Sequence, residues 1–259
     1  MAIKCYLVCG CFVYTDSKNN PLGHLFKGAF CVHCMGKEGE RMFTGIIEEI
    51  GQVKQINKGK EAIVLTIEAH VVLQDVSLGD SIAVNGVCLT VTSFSTNRFT
   101  VDVMPETIKA STLQLLTVGS KVNLERAMSA NGRFGGHFVS GHVDGIGTIV
   151  NKERRGNAVY YEIKVDPSLR HYMMLKGSVT VDGTSLTIFN VTDHSFTISL
   201  IPHTAKETII GRKERGDVVN IECDMLAKYI KEMMMKPSSA PAPKPSNMQS
   251  LLEKHGFTN

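Results

Sequence analysis

The side chains with the clearest capacity for chemistry come in matched pairs. Cys88 lies in "GDSIAVNGVCLTVTSF" (79–94) and Ser185 in "KGSVTVDGTSLTIF" (176–189). The two segments say nearly the same thing, with Ser81 matching Ser178 and Thr90 matching Thr187. A thiol or hydroxyl can relay a proton, donate a hydrogen bond or accept one. Cys88 and Ser185 each precede a threonine by two residues, so each pair shares one face of a strand. Any one small polar residue there could be a tolerated core or edge position. The recurrence of the whole set argues for a site, and the set suits a flat polar heterocycle needing several hydrogen bonds.

Two further clusters carry candidates. In "NGRFGGHFVSGHVDG" (131–145) Gly132, Gly135, Gly136, Gly141 and Gly145 permit close backbone approach. His137 and His142 lie five apart, without the Cys and carboxylate set of a zinc site. His142 is the better candidate for acid–base work or ligand contact near neutral pH. "MPETIKAST" (104–112) matches "IPHTAKETI" (201–209); Thr107 and Thr204 read most simply as turn and helix-cap residues. "CVHC" (31–34) lacks well-spaced partners for a metal, and no Gly-rich phosphate loop or serine-hydrolase elbow occurs. We expect no metal.

These groups must be positioned by a duplicated framework. "LGDSIAVNGVCLTV" (78–91) matches "LKGSVTVDGTSLTI" (175–188), and "FTVDVMPETIKASTL" (99–113) matches "FTISLIPHTAKETII" (196–210). "GSKVNLE" (119–125) matches "GDVVNIE" (216–222), and "TGIIEEIGQV" (44–53) matches "SGHVDGIGTI" (140–149). The order is kept, so the chain holds two tandem homologous domains, 42–138 and 139–223. Apolar residues alternate in "RFTVDVM" and "NAVYYEIKV", and Asn85-Gly86 and Asp182-Gly183 are hairpin-turn dipeptides. Many short strands imply an all-β barrel or sandwich in each half.

Two segments read as helices. Asp166 caps a short one in "DPSLRHYMML" (166–175). Residues 224–236, "DMLAKYIKEMMMK", carry an apolar stripe of Met225, Leu226, Tyr229, Ile230, Met233 and Met234. That stripe implies packing onto a barrel or self-association. The tail, 237–259, opens with a proline-rich linker. Residues 1–41 have no counterpart in the second repeat. "KEGER" before Met42 can be encoded by a purine-rich, ribosome-binding-like stretch, so we expect a translated leader and a natural start at Met42.

Composition narrows the class. The chain has 259 residues, 43% hydrophobic and 20% charged, with a net charge of +3. That charge is too small to argue for nucleic acid, and no run approaches the length of a membrane helix. Five of the seven cysteines fall within the first 34 residues, which is no disulfide framework. Without a recognisable secretory signal, the cytoplasm is the expected compartment.

"MFTGIIEEIG", "GDSIAVNGVCLTVTSF", "MPETIKAST", "NLERAM", "GGHFVSGHVDG", "DGTSLTIFNV" and "LIPHT" together resemble the riboflavin synthase family, alpha-chain type, over residues 42 to 235. The resemblance implies two six-stranded Greek-key barrels and a C-terminal helix (224–236) that assembles homotrimers. It implies dismutation of two 6,7-dimethyl-8-ribityllumazine molecules by transfer of a four-carbon unit, without metal or added cofactor. The alternative is a non-catalytic lumazine- or flavin-binding antenna of the same fold. Association with lumazine synthase is left open.

The resemblance also implies residue roles. Ser81, Cys88, His142, Asp182, Ser185 and Thr187 would take part in catalysis. The first barrel's site would use Thr44, Gly45, Ile46 and Ile47 with Cys88, Leu89 and Thr90, then Asp102, Met104, Pro105, Glu106 and Thr107. The second barrel's site would use Gly141, His142, Val143 and Lys176 with Thr184, Ser185 and Leu186, then Ile201, Pro202, His203 and Thr204. Phe43 matches the family's N-terminal phenylalanine, so 41 preceding residues would be expected to crowd the site. The productive site would pair the first barrel of one subunit with the second barrel of its neighbour.

Overall fold

The computed structural model describes residues 5–8, 11–14, 42–59 and 63–235. Strands β1 (Cys5–Val8) and β2 (Cys11–Tyr14) form an antiparallel pair. The "CVHC" and "KEGER" segments and the proline-rich tail lie outside the described residues.

The first domain comprises β3 (Glu49–Lys58), β4 (Ile63–Glu68), β5 (Ser81–Val84), β6 (Val87–Phe94), β7 (Arg98–Val103) and β8 (Lys121–Arg126). They close into an antiparallel barrel in the order β3-β4-β7-β6-β5-β8. Alternation explains closure. Val87, Leu89 and Val91 of β6 and Phe99, Val101 and Val103 of β7 point into one core, with their alternates outward. Closing the sheet leaves no edge strand exposed.

The second domain repeats the plan. It contains β9 (Gly145–Arg155), β10 (Ala158–Lys164), β11 (Ser178–Val181), β12 (Thr184–Val191), β13 (Ser195–Leu200) and β14 (Val218–Cys223), closed in the order β9-β10-β13-β12-β11-β14. Its core centres on Tyr161, Ile163, Ile188, Phe196, Ile198 and Ile221. Both expected turns form with successive positive φ values, Asn85 (48°) with Gly86 (80°) and Asp182 (44°) with Gly183 (78°). That is the twist which suits a two-residue hairpin.

Short helices follow the matched strands β7 and β13. α1 (Pro105–Ala110) and α3 (Pro202–Glu207) begin at the prolines of "MPET" and "IPHT". This corrects the cap reading of Thr107 and Thr204, which lie inside the helices. Met104 and Ile201 occupy the cap positions and make no side-chain cap bond. Proline at the first helical position sacrifices an N–H that has no partner there, and its fixed φ suits the helix. Asp166 does cap α2 (Pro167–Arg170), accepting from Ser168 N at 2.9 Å. α4 (Met225–Met235) ends the described chain. Its stripe does not pack away on the barrels: Leu226, Tyr229, Ile230, Met233 and Met234 are 51–81% exposed.

The barrels meet through reciprocal contacts. Phe43 and Val139 exchange backbone bonds, 2.8 and 3.2 Å. The two hairpin turns abut so closely that a Cβ on Gly86 would lie 2.7 Å from Gly183 N, and one on Gly183 2.7 Å from Gly86 N. Asn123 of β8 donates Nδ2 to Asp182 O (2.9 Å) and accepts from Ile209 N (2.8 Å). Asn220 of β14 returns the pattern, donating to Asn85 O (2.8 Å) and accepting from Thr112 N (2.7 Å). The relation is a pseudo-two-fold between the halves.

Candidate functional site

Each barrel presents a polar outer face beside this interface. On β6, Cys88 is half-buried and Thr90 exposed. Asp102 and Met104 stand exposed at the end of neighbouring β7, and α1 adds Glu106 and Thr107. On β12, Ser185 is half-buried and Thr187 exposed, with Ile201, His203 and Thr204 following β13. Ser81 stands opposite Thr90 in the β5–β6 register and borders a hollow of about 290 Å³ with Asp80 and Arg126. Thr44, Ile46, Glu125 and Arg133 border another of about 240 Å³.

The structure pairs the glycine segments with the strand faces in the opposite sense to that expected. Gly45 O accepts from Ser185 N at 2.7 Å, and Gly141 O accepts from Cys88 N at 2.9 Å. The 44–47 segment therefore lies against the second barrel's face, and the 141–143 segment against the first's. Val143 also packs on the first barrel's core. The cause is steric as well as polar. Gly45 (φ 76°) and Gly141 (φ 79°) sit in the left-handed region, where a Cβ would come within 2.7 Å of Ser185 Cβ and 2.6 Å of Cys88 Cβ. Only glycine lets the backbones approach so closely.

Two carboxylates hold these segments. Glu125 of β8 accepts from Thr44 N (2.7 Å), Thr44 Oγ1 (2.8 Å) and Gly45 N (3.0 Å). Glu222 of β14 accepts from Ser140 N (2.7 Å), Ser140 Oγ (2.7 Å) and Gly141 N (3.1 Å). Burial pushes the Glu125 carboxyl up to about 7, against the pull of these donors, and raises Glu222 in the same way. Sequence reasoning passed over both. The signal was the repeated Asn-x-Glu of "NLE" and "NIE".

Several expected site residues have other placements. Phe43 is fully buried with Ala83 and Val139 beneath Cys88. Leu89 points into the first core and Leu186 packs against the second. Asp182 is fully buried in the inter-barrel turn. Its Oδ1 accepts from Asn220 N (2.8 Å) and its Oδ2 faces Lys213 Nζ at 3.5 Å. Thr184 is buried beside Asn123. Asp182 and Thr184 thus brace the interface instead of opening onto either face. Lys176 is exposed at φ 64°, where the first repeat has Gly79 at φ 84°.

The two faces are not equal. His137 Nδ1 lies 2.7 Å from Ser185 Oγ, while its backbone N donates to Thr44 O at 3.1 Å. Burial holds its imidazole below the usual histidine range, so the ring is neutral at neutral pH. A neutral ring can take or give the serine proton according to tautomer. His142, the expected candidate, is exposed beside the other face. Among the described residues no group of His, Cys, Asp and Glu is arranged to hold a metal ion.

The family model described as "Lumazine binding domain" matches residues 44–127 and again 140–224. Fold and paired faces thus define the class, a tandem lumazine-binding double barrel. A riboflavin synthase of Bacillus subtilis (strain 168) is 63% identical over 195 residues, covering 75% of this chain and 91% of the relative. One of Actinobacillus pleuropneumoniae is 55% identical, covering 83% of this chain and all of the relative. The chain belongs to the riboflavin synthase family. Among solved structures, LumP complexed with 6,7-dimethyl-8-(1'-D-ribityl) lumazine aligns with a TM-score of 0.64 and 27% identity, covering 70% of this chain and 99% of that one.

Proposed function

We propose that this enzyme converts two molecules of 6,7-dimethyl-8-ribityllumazine into riboflavin and 5-amino-6-(D-ribitylamino)uracil. One molecule gives a four-carbon unit to the other, so the products contain all the atoms of the two substrates and no oxidant is needed. The observation that carries this reading is the duplication itself. Two matched polar faces serve a reaction between two copies of one compound.

The substrate brings the reactive centres; the protein brings orientation and proton transfer. Holding two reactants in register can supply on the order of 7–11 kcal/mol of the barrier in favourable cases. We assign hydrogen bonding of one heterocycle to Cys88, Thr90 and the 141–143 segment. The other would be held by Thr187, the 44–46 segment and the Ser185–His137 pair. The pair is placed for general acid–base work, with Nδ1 within hydrogen-bond reach of the hydroxyl. The thiol of Cys88 gives the opposite site different proton-transfer properties.

Thr90, Asp102, Met104, Thr187, Ile201 and His203 are exposed, so neither face is closed by the described residues of its own chain. This supports a site shared between subunits, with the bare stripe of α4 as the trimer contact. The cytoplasm is the compartment we assign, and lumazine synthase is the further partner this reading allows.

The test is to mix the purified chain with the lumazine and follow riboflavin absorbance. Stable fluorescence of bound lumazine without turnover would instead support an antenna. The likeness to LumP motivates that second reading, although the identity to riboflavin synthases is far higher.

A further inference from the structure

Glu125 and Glu222 contact neither strand face of the proposed site. Each stands on the last strand of its barrel at an outward position, next to a core residue (Leu124 or Ile221), yet is only 4% or 2% exposed. The Thr44-Gly45 segment caps Glu125 and the Ser140-Gly141 segment caps Glu222. A carboxylate is acceptor-only when ionised and can take several donors at once. Each meets two successive backbone N–H groups and the hydroxyl between them. The carbonyl of the same glycine then accepts from the site residue of the opposite barrel, Ser185 N or Cys88 N. The chain of contacts is therefore Glu125, Thr44-Gly45, Ser185 in one direction, and Glu222, Ser140-Gly141, Cys88 in the other.

We propose that Glu125 and Glu222 are positioning residues that act crosswise: the carboxylate of each barrel sets the segment that completes the other barrel's substrate face. Glu125 governs the site around Ser185, and Glu222 governs the site around Cys88. The inference deepens the reading of two lumazine sites and rests on it for what the segments touch. The contacts between carboxylate, segment and strand do not depend on that reading.

The experiment uses the full chain and the variants Glu125→Ala, Glu125→Gln, Glu222→Ala and Glu222→Gln. The first measurement is the rate of Cys88 alkylation by iodoacetamide, resolved from the other cysteines by peptide mass mapping. Glu222→Ala frees the Ser140-Gly141 segment and should raise that rate by about 5-fold or more, with Glu125→Ala within about 2-fold of the parent. The second is a double-mutant cycle on riboflavin formation. Glu125→Ala should lower kcat/KM on the order of 10-fold in the parent, lose most of that effect in a Ser185→Ala background, and stay additive with Cys88→Ala. Glu222→Ala should show the reverse pattern.

Equal alkylation in the Glu125 and Glu222 variants, or cycles that couple Glu125 to Cys88, would overturn the proposal. If an alanine variant does not fold, the glutamine variant keeps the shape and one acceptor oxygen and carries the same comparison at smaller amplitude. A parent chain that forms no riboflavin sinks the functional reading, and the alkylation rates alone then decide this one.

Discussion

At the scale of single residues, the contrast between Cys88 and Ser185 is the chief break in the repeat. A thiol has a reference pKa of about 8.5, while a serine hydroxyl is the better neutral hydrogen-bond partner. Cys88→Ala and Ser185→Ala should each lower kcat more than they raise KM, and Cys88→Ser should recover part of the loss. Steady-state kinetics with lumazine binding checks this; unchanged kcat with a raised KM in both alanine variants would reduce the pair to pocket lining. Glu125 supplies a stability prediction. Its folded-state value of about 7 exceeds its ordinary 4.5, so the folded chain holds the extra proton between those limits. Stability from this group is present below about pH 4.5 and is lost as pH rises through 7, on the order of 3 kcal/mol in all. Glu222 and Asp182 slope the same way, and the depressed His137 slopes oppositely. Denaturant titrations of Glu125→Gln against the parent isolate the term; the variant should lose part of the decline between pH 5 and 8.

At the scale of elements, the two halves balance one buried charge. The turn Asn85 of the first repeat becomes Asp182 in the second, and Leu116, which follows the helical turn before β8, becomes Lys213. Asp182 and Lys213 meet at 3.5 Å. Lys213→Leu should therefore destabilise by about 3 kcal/mol or more at pH 8, because it strands a buried carboxyl. Adding Asp182→Asn should restore most of it by recreating the first repeat's pairing, as thermal unfolding would show. The strands, turns and repeat order behind this were legible in the sequence, since period-two alternation and Asn-Gly or Asp-Gly turns are local signals. Which barrel each glycine segment joins was not. Gly45 meets Ser185 through a contact 140 residues apart in the chain, and nothing near Gly45 encodes it. Nor could alternation show that Asn123, outward on β8, is covered by a second barrel. The α4 stripe was visible, and its exposure favours self-association over packing on the barrels. Deleting 224–259 should leave folded double barrels, by circular dichroism, that sediment as monomers and lose at least about 10-fold in turnover. A fully active monomer would refute the assembly role.

At the scale of the whole molecule, the family match begins at Thr44, and among the described residues both barrels are built from strands that follow Met42. A chain starting at Met42 should keep or raise its turnover, and loss of folding on removing 1–41 would show that these residues are structural. The reciprocal contacts of Phe43 with Val139, and the matched bonds of Asn123 to Asp182 and of Asn220 to Asn85, have the form of a self-complementary dimer interface, folded into one polypeptide. Tethering replaces association between molecules by association within one, at an effective concentration of roughly millimolar for a short linker. The interface can then be weak by the standards of separate subunits and still hold. Two unequal lumazine-binding repeats are thereby supplied in a fixed one-to-one ratio, and dilution cannot alter it.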